Sequence, residues 1–136
     1  RGAFFVAQQC GVRMIAAKIE GRIVNTASIA GLVTMPQLTA YGMSKAAVIQ
    51  MTKALAREWA RYGINVNAIC PGYIATELNA DFFNSEAGHK IVQELPKRRI
   101  GEPSDLDGAL FLLASPSASR FTTGAIITVD DGYSIS

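Results

Sequence analysis

Between residues 3 and 19 apolar side chains recur at helical intervals. Phe5, Val12, Ile15 and Ile19 form one stripe and Phe4, Ala7, Gly11 and Met14 another, which predicts a helix of about 16 residues with two buried faces. Gly21 is expected to stop it. Ile23 and Val24 then open a short β-branched run without polar alternation, the pattern of a strand covered on both sides. After a loop punctuated by Gly31 and Pro36, Thr39 is placed to cap a second helix that runs to about Tyr62 and ends at Gly63. Its apolar line is Val48, Met51, Leu55, Trp59 and Tyr62. A second stripe, Ala46, Ile49, Ala56 and Ala60, predicts contact with something besides its own sheet.

"INVNAIC" reads as a second strand, cut off by Pro71-Gly72. Residues 73 to 100 are polar and irregular, with one short helical stretch near Lys90 to Leu95, the signature of a functional loop or lid. Pro103-Ser104-Asp105 starts a helix through about Ala114, and "GAIITVD" is a third strand. Helices and strands alternate, so the fold class is α/β with a parallel sheet and crossover helices.

Composition agrees. The 136 residues make one domain at most, 49% hydrophobic and 18% charged, enough to bury a core. Net charge is +2, and no basic block exceeds "KRR" at 97 to 99, so neither nucleic acid nor an anionic membrane is expected as partner. No apolar run approaches the roughly 20 residues that span a bilayer. Cys10 and Cys70 form no Cys-x-x-Cys pair and read as two buried thiols in a reducing, cytoplasmic setting. The opening "RGAFFVAQQC" lacks both a secretory h-region and a methionine, so the chain is expected to be part of something longer or a cut product. His89 lies among Ser85, Glu86 and Lys90 and reads as a solvated side chain; no cluster has metal-ligand spacing.

The chemistry gathers elsewhere. Ser28 stands at the end of the first strand, and thirteen residues later "TAYGMSKAAV" puts Tyr41 and Lys45 one helical turn apart. Ligands of open α/β sheets sit outside the carboxyl ends of strands, the rim that also carries the Pro71-Gly72 turn. Alone, each element has a plain rival: a turn serine, an amphipathic helix start, an ordinary Pro-Gly turn, and Thr76 capping a short helix with Glu77 in its first turn.

In order, "GRIVNTASIAG", "YGMSK", "NAICPGYIATEL", "RIGEPSDLDGALFLLAS" and "TTGAIITVDDG" resemble the C-terminal half of a short-chain dehydrogenase/reductase, across nearly the whole chain. The resemblance implies part of a Rossmann-like, doubly wound parallel sheet in three αβα layers, residues 1 to 136 being the later part of one domain. It implies hydride transfer between NAD or NADP and a carbonyl or secondary alcohol. Tyr41 would act as general acid in reduction and base in oxidation. A phenol ordinarily titrates near 10, and an ammonium one turn away favours its anion. Tyr41 and Lys45 would also contact the cofactor, Lys45 at the nicotinamide ribose, and Ser28 with Tyr41 would hold the substrate oxygen. Pro71, Gly72 and Ile74 would wall the nicotinamide, and Thr76 would bind its carboxamide or a phosphate.

Two of the family's features are missing. No glycine-rich phosphate turn occurs, since Gly2, Gly11 and Gly21 make no such fingerprint, and the catalytic asparagine would fall upstream of Arg1. The 136 residues alone are therefore expected to be neither active nor a tight cofactor binder. Carrier-docking arginines of 3-oxoacyl reductases would map to Ile19 and Tyr62, although Lys18 and Arg61 adjoin them. A sugar, polyol, steroid or other alcohol is left open. Asp131 stands where the family usually has a glycine before Gly132. The two-faced helices fit the family's pairing across a two-fold axis, so a homodimer or homotetramer is expected of the complete protein. A non-catalytic scaffold of the same fold, or a generic α/β ligand-binding domain, are the competing readings.

Overall fold

A computed structural model describes residues 1–135. Three parallel strands, β1 (Arg22–Thr26), β2 (Asn65–Pro71) and β3 (Ile126–Val129), lie in the order β1-β2-β3. Register pairs Ile23 with Val66 and Ala68 with Ile126. Helix α1 (Gly2–Ala16) precedes β1, and α2 (Thr39–Trp59) crosses from β1 to β2. The return from β2 to β3 carries α3 (Ala80–Phe83), α4 (Glu86–Glu94) and α5 (Asp107–Ala114). The expected α/β alternation is present, with β1 left as an edge strand.

Strand alternation sorts side chains onto two covered faces. On one, Ile23, Val66, Ala68 and Cys70 pack under α1 and α2 in two adjoining apolar clusters, one with Ala7, Leu55, Ala56 and Ile64, the other with Ala27, Ile29 and Ile49. Asn25 joins this face by donating to the Thr52 hydroxyl at 2.9 Å. The other face holds Arg22, Asn65 and Asn67 beneath the loop that follows α5. Arg22 reaches the Ser119 hydroxyl, Asn65 donates to the Ser119 carbonyl, and Asn67 donates to the Thr122 carbonyl while accepting from the Ala125 N–H. Asn67 is 1% exposed, and these two bonds meet the cost of burying its amide.

Several expectations change. Of the two thiols expected to be buried, Cys10 on α1 is exposed and Cys70 is buried. Helix α1 ends at Ala16, and the left-handed residue beyond it is Lys18 (φ 54), not Gly21. Gly21 instead lies against the Met14 side chain, where a Cβ would collide. Only one face of α1, through Ala7 and Gly11, is buried; Phe5 and Val12 on the other remain 55% exposed. Thr39 is the first residue of α2 and makes no capping bond. The buried line of α2 is Ile49, Thr52, Leu55 and Ala56, between the two expected stripes, while Tyr62 is exposed. The helix then tightens through Ala60–Tyr62 to a left-handed Gly63, as anticipated.

The polar segment 73 to 100 contains two helices rather than one. Ser85 caps α4 by accepting the Gly88 N–H at 3.2 Å, and Glu86 pairs with Lys90 one turn on. The base of this segment is tied down by charge: Asp131 accepts from Lys97 at 2.9 Å and pairs with Arg99 Nε at 2.8 Å, and Arg99 also reaches Asp105 at 3.0 Å. Asp131 has φ 53, a conformation that suits glycine and strains an aspartate by about 1 kcal/mol; its two cationic partners oppose that strain. Lys97's hydrogen bond foremost holds the Asp131 carboxyl below the usual range. For Asp105 the foremost cause is the Glu102 backbone N–H, followed by Arg99.

Carboxyls depressed in the folded state add stability that is complete above their ordinary value of 3.8 and is lost as pH falls through the folded value. Asp131→Asn should therefore lower the melting temperature at pH 6 and converge with the parent in strong acid. Thermal melts running parallel across that range would contradict this origin.

Candidate active site at the strand ends

The site is assembled by two close backbone approaches. The loop leaving β1 runs through Ser28 into a short turn, Ile29–Gly31, and lies directly on the first turns of α2. A Cβ on Gly31 would stand 2.7 Å from the Lys45 carbonyl carbon and the Ala46 nitrogen; one on Gly42 would stand 2.7 Å from the Ala30 carbonyl oxygen. Two facing glycines thus let the serine loop and the tyrosine–lysine turn touch backbone to backbone. Gly42 was not singled out from the sequence, and Gly31 was read only as loop punctuation. Their shared signal is a glycine three residues beyond Ser28 and another directly after Tyr41.

Within that contact Ser28 is 8% exposed, and its Oγ accepts the Ala30 N–H at 3.2 Å. The turn role weighed for this serine is therefore real. It uses the oxygen as acceptor and leaves the hydroxyl hydrogen to be donated. Lys45 bends back so that Nζ donates to the Thr26 carbonyl, the last of β1, at 3.1 Å, and sits 5.6 Å from the centroid of the Tyr41 ring. Tyr41 itself is 46% exposed. Beneath them lies Cys70, fully buried at the end of β2. Burial pushes its thiol up, opposed by a hydrogen bond with the Ser28 backbone and by the charge of Lys45. Cys70 thus links the second strand to Ser28, a role its position in the sequence did not suggest.

The Pro71-Gly72 turn follows at the same rim. Pro71 pairs with Val129, and a Cβ on Gly72 would meet the Asp130 side chain at 2.8 Å, so this glycine permits the turn to pack on the end of β3. Tyr73 stacks edge-on with Phe83 of α3 and with Tyr133, and burial together with Tyr133 pushes its phenol up to about 12. Ile74 turns toward Gly101, with which it forms an isolated parallel bridge. Thr76 is not gathered with the other residues. It is exposed, begins no helix, and lines a separate groove of about 560 Å³ with Phe83, Ile100 and Pro103. The cap of α3 is Asn79, not Thr76.

His89 lies exposed on α4, and no group of three His, Cys, Asp or Glu among the described residues could hold a metal. No helix of the described residues is long and apolar enough to cross a membrane.

A family profile described as enoyl-(acyl carrier protein) reductase matches residues 1–134. The chain is 43% identical to a galactitol 2-dehydrogenase (L-tagatose-forming) of Cereibacter sphaeroides over 98% of its own length and 53% of the relative's. It is 41% identical to an NAD-dependent glycerol dehydrogenase of Listeria innocua, covering 99% of this chain and 52% of that one. A crystal structure of a gluconate 5-dehydrogenase from Burkholderia cenocepacia, in complex with NADP and tartrate, superposes with a TM-score of 0.92 at 37% identity, over 99% of this chain and 52% of that one. The chain spans about half the length of the curated relatives it matches.

Helix propensity alone says that Gly42→Ala should stabilise α2 by about 1 kcal/mol. The collision with the Ala30 carbonyl is the larger effect, so a net loss of roughly 1–3 kcal/mol is expected in urea unfolding. A gain in stability would show that the serine loop does not press on this turn.

Proposed function

The chain belongs to the short-chain dehydrogenase/reductase family, and from that premise we propose that it is the catalytic half of a cytoplasmic oxidoreductase acting on a carbonyl or secondary alcohol. The observation that carries this reading is the seating of the Lys45 ammonium between the end of β1 and the Tyr41 ring, on the turn against which the Ser28 loop packs.

The residues present fit the nicotinamide end of NAD or NADP. An ammonium has three N–H donors. Lys45 spends one on the Thr26 carbonyl, which aims the group and leaves the others for ribose hydroxyls. Pro71, Gly72 and Ile74 form the adjoining wall, and the exposed Thr76 hydroxyl is available to a carboxamide or phosphate. Residues for a pyrophosphate are not part of this sequence, which has no glycine-rich turn opening a helix after a strand. When bound, the nicotinamide supplies the hydride acceptor or donor.

The proton is the protein's task. Ser28 donates its hydroxyl hydrogen to the substrate oxygen and stabilises charge there. Tyr41 gives a proton to that oxygen in reduction and takes one in oxidation. Lys45 holds its positive charge beside the Tyr41 ring, 5.6 Å from the centroid. The relatives named for galactitol and glycerol support a small polyhydroxylated substrate over a carrier-bound thioester. They do not separate the cofactors, since one relative is named NAD-dependent and a solved neighbour holds NADP. The uncovered apolar side of α1, with Phe5 and Val12, supports assembly with further copies as a homodimer or homotetramer.

Tyr41→Phe in the full-length protein should lower turnover of a polyol by about 10²–10⁴ while NADH binding, followed by fluorescence, is kept. The same titration on the 136 residues alone should show no tight binding. Unchanged turnover, with the fold and binding intact, would contradict the role given to Tyr41, whereas a full-length protein that binds cofactor and turns over no alcohol would favour the scaffold reading.

A further inference from the structure

The segment after the Pro71-Gly72 turn has to hold its shape although it lies outside any named strand. On one side it is fixed by Gly101, whose carbonyl accepts the Ala75 N–H at 2.8 Å and whose N–H donates to the Tyr73 carbonyl at 2.9 Å. On the other it is fixed by a single side chain. Asn79 Nδ2 donates to the Ile74 carbonyl at 2.8 Å, and Asn79 Oδ1 accepts the Thr76 N–H at 2.8 Å. The Asn79 N–H also donates to the Thr76 carbonyl at 3.2 Å.

Asn79 occupies the N-cap of α3, where an asparagine ordinarily turns its oxygen onto the helix's own free N–H groups. Here it makes no such bond and turns back on the wall instead. The two ends of the amide are spent on opposite polarities, one carbonyl and one N–H, separated by the single residue Ala75. Only an amide of this length complements both. Aspartate would keep the Thr76 contact but set a charged oxygen against the Ile74 carbonyl, and leucine would satisfy neither group. The geometry is a staple across the residues that lead to Thr76.

We propose that Asn79 is a positioning residue for cofactor binding: its amide fixes the Ile74–Thr76 backbone and thereby aims the Thr76 hydroxyl. This rests on the reading of Thr76 as a cofactor contact made above.

The test uses the full-length protein with NADH fluorescence titration and steady-state kinetics. Asn79→Leu should weaken NADH binding roughly tenfold, the size expected when two hydrogen bonds to backbone are lost. The KM for cofactor should rise with it, with kcat and the substrate KM changing less. Asn79→Asp, nearly the same size, should weaken binding in the same direction and keeps the idea testable should the leucine variant fail to fold. In a Thr76→Val background, either change at 79 should cost little more, because a positioning role acts through the residue already removed. Full affinity in a folded Asn79→Leu protein, or losses at 76 and 79 that simply multiply, would overturn the inference while leaving the redox reading in place. Failure of the unmodified protein to bind either NADH or NADPH would remove both.

Discussion

A lysine ammonium bonded to the last carbonyl of β1 is the constraint around which the site is arranged. The bond of 3.1 Å from Lys45 uses the Thr26 carbonyl, the last of β1, an edge strand. It fixes a flexible four-carbon side chain at both ends and holds its charge 5.6 Å from the Tyr41 ring. That the strand end, the serine loop and the helix start can meet at all depends on Gly31 and Gly42, because any side chain there would wedge them apart.

From this point the remaining structure divides in two. Below the rim, Cys70 and the α2-facing side chains of β2 are sealed and apolar, a rigid floor. Beyond the rim, the segment from Tyr73 to Gly101 is held by a few discrete ties: one isolated bridge, the Asn79 amide, the aromatic contacts of Tyr73, and the ion pairs of Asp131 with Lys97 and Arg99. A floor held by packing and a wall held by separable polar contacts suit a site whose ligands have to enter and leave.

Much of this was legible in the sequence because the signals were local. The α/β alternation, the second helix ending at Gly63, and the serine, tyrosine and lysine on one rim all follow from periodicity and spacing. What was missed depended on distant partners. Two faces of α1 look equally apolar, but which is covered is decided by Trp59, whose ring lies against Gly11. Nothing within "INVNAIC" itself tells that Asn67 is buried with both amide ends bonded to residues more than fifty positions away. Asp131 reads as a departure from a glycine, and only the fold shows that Lys97 and Arg99 oppose its strain. Thr76 follows a motif rather than a contact, and it stands apart from the rim residues in its own groove.

The central claim is that Lys45 serves the chemical step through Tyr41. A double-mutant cycle on kcat in the full-length protein, with Lys45→Met and Tyr41→Phe singly and together, addresses it most directly. The account requires the lysine change to cost little once the phenol is gone, a strongly non-additive cycle. Two losses that multiply fully would mean that the lysine acts independently of the tyrosine, and the proton-transfer account would fail.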